Sequence, residues 1–249
     1  MTEDTQLSET PKSREGTWAK PVDRLHVGDI SSDAVNLNVE GRQLAGPLKG
    51  FGQLWQKTYK IRLIGADVTP QQVISTWKAN FPTYWPEGND LFVPLTGIQA
   101  GEVGVINLKA PGGMTLSTGI MVIYADDTSF TFMTPEGHMF AGMITFSAYE
   151  EDNGTFAQLQ ALIRANDPIY EMSFRMGFGH KAEDTFWAAT LTNLAAHLGA
   201  SNPQPTQTNS LVDPRVQWRE WRNIWHNAGI RSGLYMPVAM VKKVFRKTT

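Results

Sequence analysis

His138 is the side chain of this sequence most suited to moving a proton. It stands in TPEGHM, two residues after Glu136, where Pro135, Glu136 and Gly137 mark a turn. An unperturbed histidine titrates near ~6.5, so His138 at the mouth of a cavity could serve as acid or base. Tyr124 and Glu136 are the candidate helpers. The competing reading is a turn histidine bonded to backbone. His180 precedes Glu183 and Asp184. Such a group near a helix start is a capping arrangement first and a catalytic pair second. His197 falls in the last turn of a helical pattern, where the helix dipole accounts for it. The five histidines, these three with His26 and His226, form no HxH or HExxH spacing. No metal site is therefore expected.

Other chemistry is excluded by residue type. There are no cysteines, hence no disulfides, no thiolate nucleophile and no zinc–thiolate site. Asp126/Asp127 and Glu150/Glu151/Asp152 lie at expected turns, where solvated charge is the simplest role. Gly112-Gly113 is not followed by the Lys-Ser/Thr of a phosphate loop, and Gly177-Phe178-Gly179 does not sit between a strand and a helix start. There is no GxSxG elbow and no aromatic–basic signature of an RNA-binding sheet. The residues form no complete catalytic constellation and no cofactor site, so enzyme or binder stays open.

The elements that must position these residues read in a distinctive order. KTYKIRL alternates Tyr59, Ile61 and Leu63 against Lys60 and Arg62, a half-exposed strand within 56–63. Asp67 or Thr69 can cap a helix with Pro70 at its first turn, in which Val73, Trp77 and Phe81 share one face. Strand-like runs follow at 91–96, 102–108, 117–125, 129–134, 140–149 and 155–164, joined by short turns that make the meander antiparallel. Pro111-Gly112-Gly113 is one of those turns. Asp167-Pro168 caps a closing helix that Gly177 and Gly179 interrupt. After the interruption Trp187, Leu191, Leu194 and Leu198 recur on one face, and Gly199 ends it.

This order, with FGQLWQKTYKIRL opening and DTFWAATLTNLAAHLG closing, resembles the helix-grip superfamily of START, Bet v 1-like and polyketide-cyclase-like proteins, bacterial members above all. The segment TPEGHMFAGMITFSAYEEDNGTFAQLQALIRANDPIYE is similar to the last hairpin of that superfamily running into its C-terminal helix. The resemblance covers about 56–199. It implies an α+β helix-grip fold, a curved antiparallel sheet wrapped around a long C-terminal helix, and a cavity between them. It transfers no catalytic residues. Strand alternation and helix periodicity direct Trp77, Phe81, Phe130, Phe132, Phe140, Ile144, Phe146 and Trp187 toward that space. Such a lining suits a hydrophobic small molecule: a lipid, a polyketide or another aromatic compound. A filled core is the alternative. If the cavity were instead catalytic, a cyclase, dehydratase or hydrolase would use His138.

Around this unit the sequence predicts a disordered lead-in over 1–21, a ligand-binding domain over 22–199, a linker over 200–212 and a basic helical tail over 213–249. A short strand is expected within 33–40. In the tail Trp218, Trp221 and Trp225 accompany Arg215, Arg219 and Arg222, with Lys242, Lys243, Arg246 and Lys247 beyond. Either the tryptophans pack on the domain, the favoured reading, or they face outward as a docking surface for an anionic membrane or a protein partner. The formal net charge of −2 over 249 residues gives no sign of nucleic-acid binding. The polar first residues carry no apolar leader, and no run reaches the ~20 apolar residues of a span. A cytoplasmic protein is the expectation.

Overall fold

In the computed structural model, residues 16–110 and 114–235 are described. Strand β1, Leu54–Arg62, leads to helix α1, Pro70–Asn80, and a 3-10 turn, Phe81–Tyr84. Six strands follow: β2 (Asp90–Phe92), β3 (Val103–Ala110), β4 (Met114–Ala125), β5 (Ser129–Met133), β6 (Phe140–Glu151) and β7 (Gly154–Ala165). Helices α2, Pro168–Arg175, and α3, Phe178–His197, come next, and strand β8, Thr206–Asp213, follows them. One antiparallel sheet runs β2-β3-β4-β5-β6-β7-β1-β8. It curves around α3, which is the helix-grip arrangement.

Local chemistry explains the elements. Thr69 and Gln72 form a capping box: the Gln72 N–H donates to Thr69 Oγ1 at 3.2 Å and the Thr69 N–H to Gln72 Oε1 at 2.8 Å. Asp167 Oδ1 accepts from the N–H groups of Ile169 and Tyr170 and starts α2. Gly177, at φ +82°, separates α2 from α3 in a left-handed conformation open to glycine at no steric cost. Gly179 is needed for a different reason. A Cβ there would lie 2.0 Å from the Phe174 ring, so any side chain would push the two helices apart.

The concave face carries the main core. Trp77, Phe81, Phe130, Phe132 and Phe146 are buried and in mutual ring contact, and Leu159, Leu191 and Leu194 close around them. The chain before β1 covers the opposite face of β3 and β4 with a second cluster, Leu25 and Val39 on Val103, Val105 and Met121. The expected strand within 33–40 is not formed. Its backbone is instead held by side chains: Val35 donates its N–H to Asn107 Oδ1 at 2.9 Å, and the Ser117 hydroxyl and the Asn107 amide both donate to Val35 O.

Two boundaries are corrected. Residues 17–19 belong to the folded unit, because Ala19 donates to Ile123 O, and Ala125 donates to Thr17 O, both at 2.9 Å. The expected linker is mostly β8, an exposed edge strand paired with β1 from Lys60↔Thr206 to Leu54↔Asp213. Its polar composition reflects that exposure. The predicted turn at Pro111-Gly112-Gly113, most of the lead-in and the last cations of the tail lie outside the described residues.

Candidate functional site

The side chains expected to line a cavity are, for the most part, the core itself. Trp77, Phe81, Phe130 and Phe146 are 0% exposed and Phe132 is 3% exposed. Phe130 and Phe146 stack at 4.7 Å between centroids, Trp77 meets Phe146 edge-on at 5.3 Å, and Trp187 meets it at 5.6 Å. Ile144 and Trp187 pack partly buried against this cluster. Large rings at facing positions of β5, β6 and α1 fill the space that smaller residues would have left. Phe140 stands apart, stacked on Phe174 at 5.0 Å.

The proposed catalytic set is not brought together. The Tyr124 hydroxyl donates to Asp126 Oδ2 at the β4–β5 turn. His138 lies at the other end of β5, in the turn to β6. It is buried, and its Nδ1 accepts from the Phe140 N–H at 3.0 Å. Burial, against that backbone bond, lowers its pKa from 6.5 to about 4, so the ring is neutral near pH 7. Glu136 shares the turn, but its carboxylate accepts from the Gln43 N–H at 3.3 Å. His138 thus takes the place of a turn histidine bonded to backbone.

Ionisable groups converge elsewhere, where α3 crosses β1. Alternation in β1 aims Trp55, Lys57, Tyr59 and Ile61 at α3. The inward face of α3, apolar at Trp187, Leu191 and Leu194, turns polar two turns earlier at His180, Glu183 and Asp184. The Lys57 side chain is 0% exposed, with its Nζ 2.6 Å from Asp184 Oδ1 and 2.9 Å from Glu183 Oε2. The first contact is a hydrogen bond. In the second the charges approach, but Oε2 lacks a well-directed donor. The Tyr59 hydroxyl also donates to Asp184 Oδ1, at 2.5 Å.

The two carboxyls diverge. Burial raises the Glu183 pKa from 4.5 to about 7, with Asp184 adding to the rise and Lys57 opposing it. Burial acts the same way on Asp184, but bonds from Lys57, Tyr59 and Gln207 outweigh it and hold that carboxyl below its ordinary value. Burial first, then the charge of Glu183 and the bond to Asp184, pushes the Tyr59 phenol far up.

Beside this cluster a cleft of about 310 Å³ opens at the α2–α3 break, lined by Gln53, Trp55, Glu171, Phe174, Arg175 and His180. A small void of about 10 Å³ shares Gln53, Trp55, Glu171, Phe174 and His180 with the cleft and adds Phe140, Ile163, Arg164 and Ala165. His180 is held between two rings, Trp55 at 5.0 Å and Phe174 at 5.2 Å. Its Nδ1 is buried without a partner. Burial, then Lys57, lowers its pKa, and Asp184 opposes them. Glu171 accepts from Arg175 Nε at 2.8 Å and from the Gln53 N–H at 3.3 Å. A Cβ on Gly52 would come 2.1 Å from Glu171 Oε2, so the approach of this carboxylate to the β1 entry requires glycine there.

The sequence reading missed Lys57, Trp55 and the cleft. The signals were the position of Lys57 on the apolar face of β1 and the backward extension of the α3 stripe onto ionisable residues. Among the described residues, no group of three or more His, Asp or Glu could hold a metal ion. No described helix is long and apolar enough to cross a membrane.

No family model and no curated protein matches this chain by sequence. Solved structures of similar fold include the di-domain ARO/CYC StfQ from the steffimycin biosynthetic pathway. It is 11% identical over 59% of this chain, with a TM-score of 0.47, and the match spans 51% of StfQ. Protein Ms6760 from Mycobacterium smegmatis is 14% identical over 70% of this chain and 98% of its own, with a TM-score of 0.40. Ara h 8.0201 is 10% identical over 58% of this chain and 97% of its own, with a TM-score of 0.39. The likeness is one of fold alone.

Proposed function

We propose that the protein binds a small, largely apolar molecule bearing a polar group in the cleft at the α2–α3 break. An aromatic or polyketide-type compound fits this description better than a long acyl chain. The observation that carries the reading is the lining, which sets the rings of Trp55 and Phe174 beside the charged groups Glu171 and Arg175. Ligand sites combine apolar walls with a few placed polar groups and typically enclose ~300–1,000 Å³. At about 310 Å³ this cleft suits a compact ligand. Affinity would come from burial, at roughly 25 cal/mol per Å² before the cost of ordering the ligand.

Native mass spectrometry of protein purified from its own host, followed by thermal shift across an aromatic and polyketide panel, tests this reading. A ligand that raises the melting temperature of the wild type and not of Trp55→Ala supports it. A clean apo mass with no shift across the panel, or equal shifts in both proteins, counts against it.

A second reading is acid–base chemistry beside the cleft, at Glu183, which lies behind the lining residues. Glu183, with a pKa of about 7, lies one helical turn from the cleft-lining His180. If turnover is found, Glu183→Gln should abolish the limb of the pH–rate profile near 7. An unchanged profile would remove Glu183 from that role.

A further inference from the structure

The 3-10 helix Trp218–His226 is anchored to the domain and leaves its three tryptophans exposed. Its anchors are polar. Gln217 donates its backbone N–H to Phe51 O at 2.6 Å and its side-chain amide to Gly50 O at 3.0 Å. Asn223 Nδ2 donates to Lys49 O at 2.8 Å and to Asn166 O at 2.9 Å. Just beyond the helix, Ala228 donates its N–H to Gly137 O at 2.8 Å. Trp218 and Trp225 remain 72% exposed and Trp221 46% exposed. Trp218 meets Phe51 edge-on at 5.3 Å. Leu48, 73% exposed, adjoins the helix through the bond from Arg219 to its carbonyl.

The tryptophans were expected to be buried on the sheet domain, and that expectation is overturned. Three exposed tryptophans on a short, well-anchored helix form an apolar surface that water does not favour. Charge identifies what would cover it. All 24 acidic residues of the chain precede Trp221. Arg222, Arg231, Lys242, Lys243, Arg246 and Lys247 follow it. On the helix itself Glu220 pairs with Arg219 at 3.0 Å, so a chain of net charge −2 concentrates its unbalanced positive charge from Arg222 onward. Arg222 sets its guanidinium over the Trp221 ring at 5.6 Å, which places a cation beside the exposed indole. Indoles prefer the boundary between headgroups and acyl chains, and neighbouring cations bind anionic headgroups.

We propose that the Trp218–His226 helix is an attachment surface for anionic lipid bilayers. The tryptophans enter the interface while the anchoring bonds hold the helix to the domain. Binding then requires no unfolding. Nucleic acid and acidic proteins would also attract the cations, but neither has an apolar layer to receive three indoles.

The test is co-sedimentation of the full chain with vesicles of phosphatidylcholine alone and with ~30% phosphatidylserine. Each is measured at low and high salt, for the wild type and Trp218→Ser/Trp225→Ser. The proposal expects binding to the anionic vesicles at low salt, at least tenfold weaker binding to neutral ones, and weakening by salt. It expects the double variant to keep the wild-type melting temperature and lose binding at least tenfold. Absence of binding to anionic vesicles at low salt overturns it. So does equal binding of the anionic vesicles by the double variant, because cations alone would then suffice.

Discussion

Lys57 Nζ stands 2.6 Å from Asp184 Oδ1, and this contact ties the first strand of the domain to its closing helix. The ammonium is fully buried and faces two carboxyls, so it neutralises charge that the interior could not otherwise hold. Lys57→Met would leave the ionised Asp184, and Glu183 where it is charged, without a counter-charge. Removing one partner of a buried pair typically costs ~3–5 kcal/mol. We expect a loss of that order in urea denaturation. Lys57→Met/Glu183→Leu should recover part of it, since an apolar pair of similar volume avoids the desolvation penalty. A loss below ~1 kcal/mol for the single variant, as at a solvated surface pair, would show that the cluster is not buried in solution.

Glu183 gives the stability of the protein a defined pH dependence. Its pKa is raised from 4.5 to about 7, so the folded chain holds this proton more tightly than the unfolded one. The contribution is fully present below the ordinary carboxyl range and is lost as pH rises through about 7. The difference in unfolding free energy between wild type and Glu183→Gln should therefore fall steadily from pH 4.5 to 7.5. Parallel curves across that window would contradict the assignment.

His138 has the opposite sign. Its pKa is lowered from 6.5 to about 4, so the unfolded chain binds the proton first. The stability it contributes is present above about 6.5 and is lost as pH falls toward 4. His138→Asn should flatten this acid limb. Imidazole nitrogen NMR offers an independent readout: a neutral ring at pH 5.5, with Nδ1 as the unprotonated acceptor, is expected. A protonated ring at that pH would refute the buried placement.

Much of the fold was legible because its signals are local. The Pro70 start of α1, the Asp167-Pro168 start of α2 and the glycine break at Gly177 each depend on residues a few positions apart. Period-two alternation likewise set the inward faces of β5 and β6. The site was less legible because it depends on packing volume. Alternation directs Phe130, Phe132 and Phe146 inward whether the space between sheet and helix is open or filled, and only the ring contacts settle which. Lys57 was obscured in another way. A lysine on an apolar strand face looks like an exception until the two carboxyls of α3, more than a hundred residues away, are placed against it. β8 was hidden by its composition. TQTNSLVD resembles a linker because every side chain but the last is exposed, while its backbone completes the sheet.

The tail should stabilise the domain through its backbone and polar groups, not through its tryptophans. β8 satisfies the open edge of β1 along the ladder from Lys60 to Leu54. The buried Arg164 donates to Asp213 Oδ2 at 2.7 Å and to Arg215 O at 2.9 Å, so it loses two acceptors if the chain stops before β8. Hydrogen bonds to a charged group are worth ~1.5–3 kcal/mol each, and a buried cation left short of partners adds its desolvation cost. Truncation after residue 205 should therefore cost several kcal/mol, roughly the loss of two such bonds together with the β8 ladder. Trp225→Ala, by contrast, removes a side chain that is 72% exposed. Its effect should stay within about 0.5 kcal/mol, the usual range for surface substitutions. Thermal and urea unfolding of the two proteins beside wild type make the comparison. A loss of ~3 kcal/mol or more for Trp225→Ala would mean that the ring is buried after all, because only core tryptophans carry that cost. A truncated chain as stable as the full one would mean that β8 adds nothing to the sheet it completes.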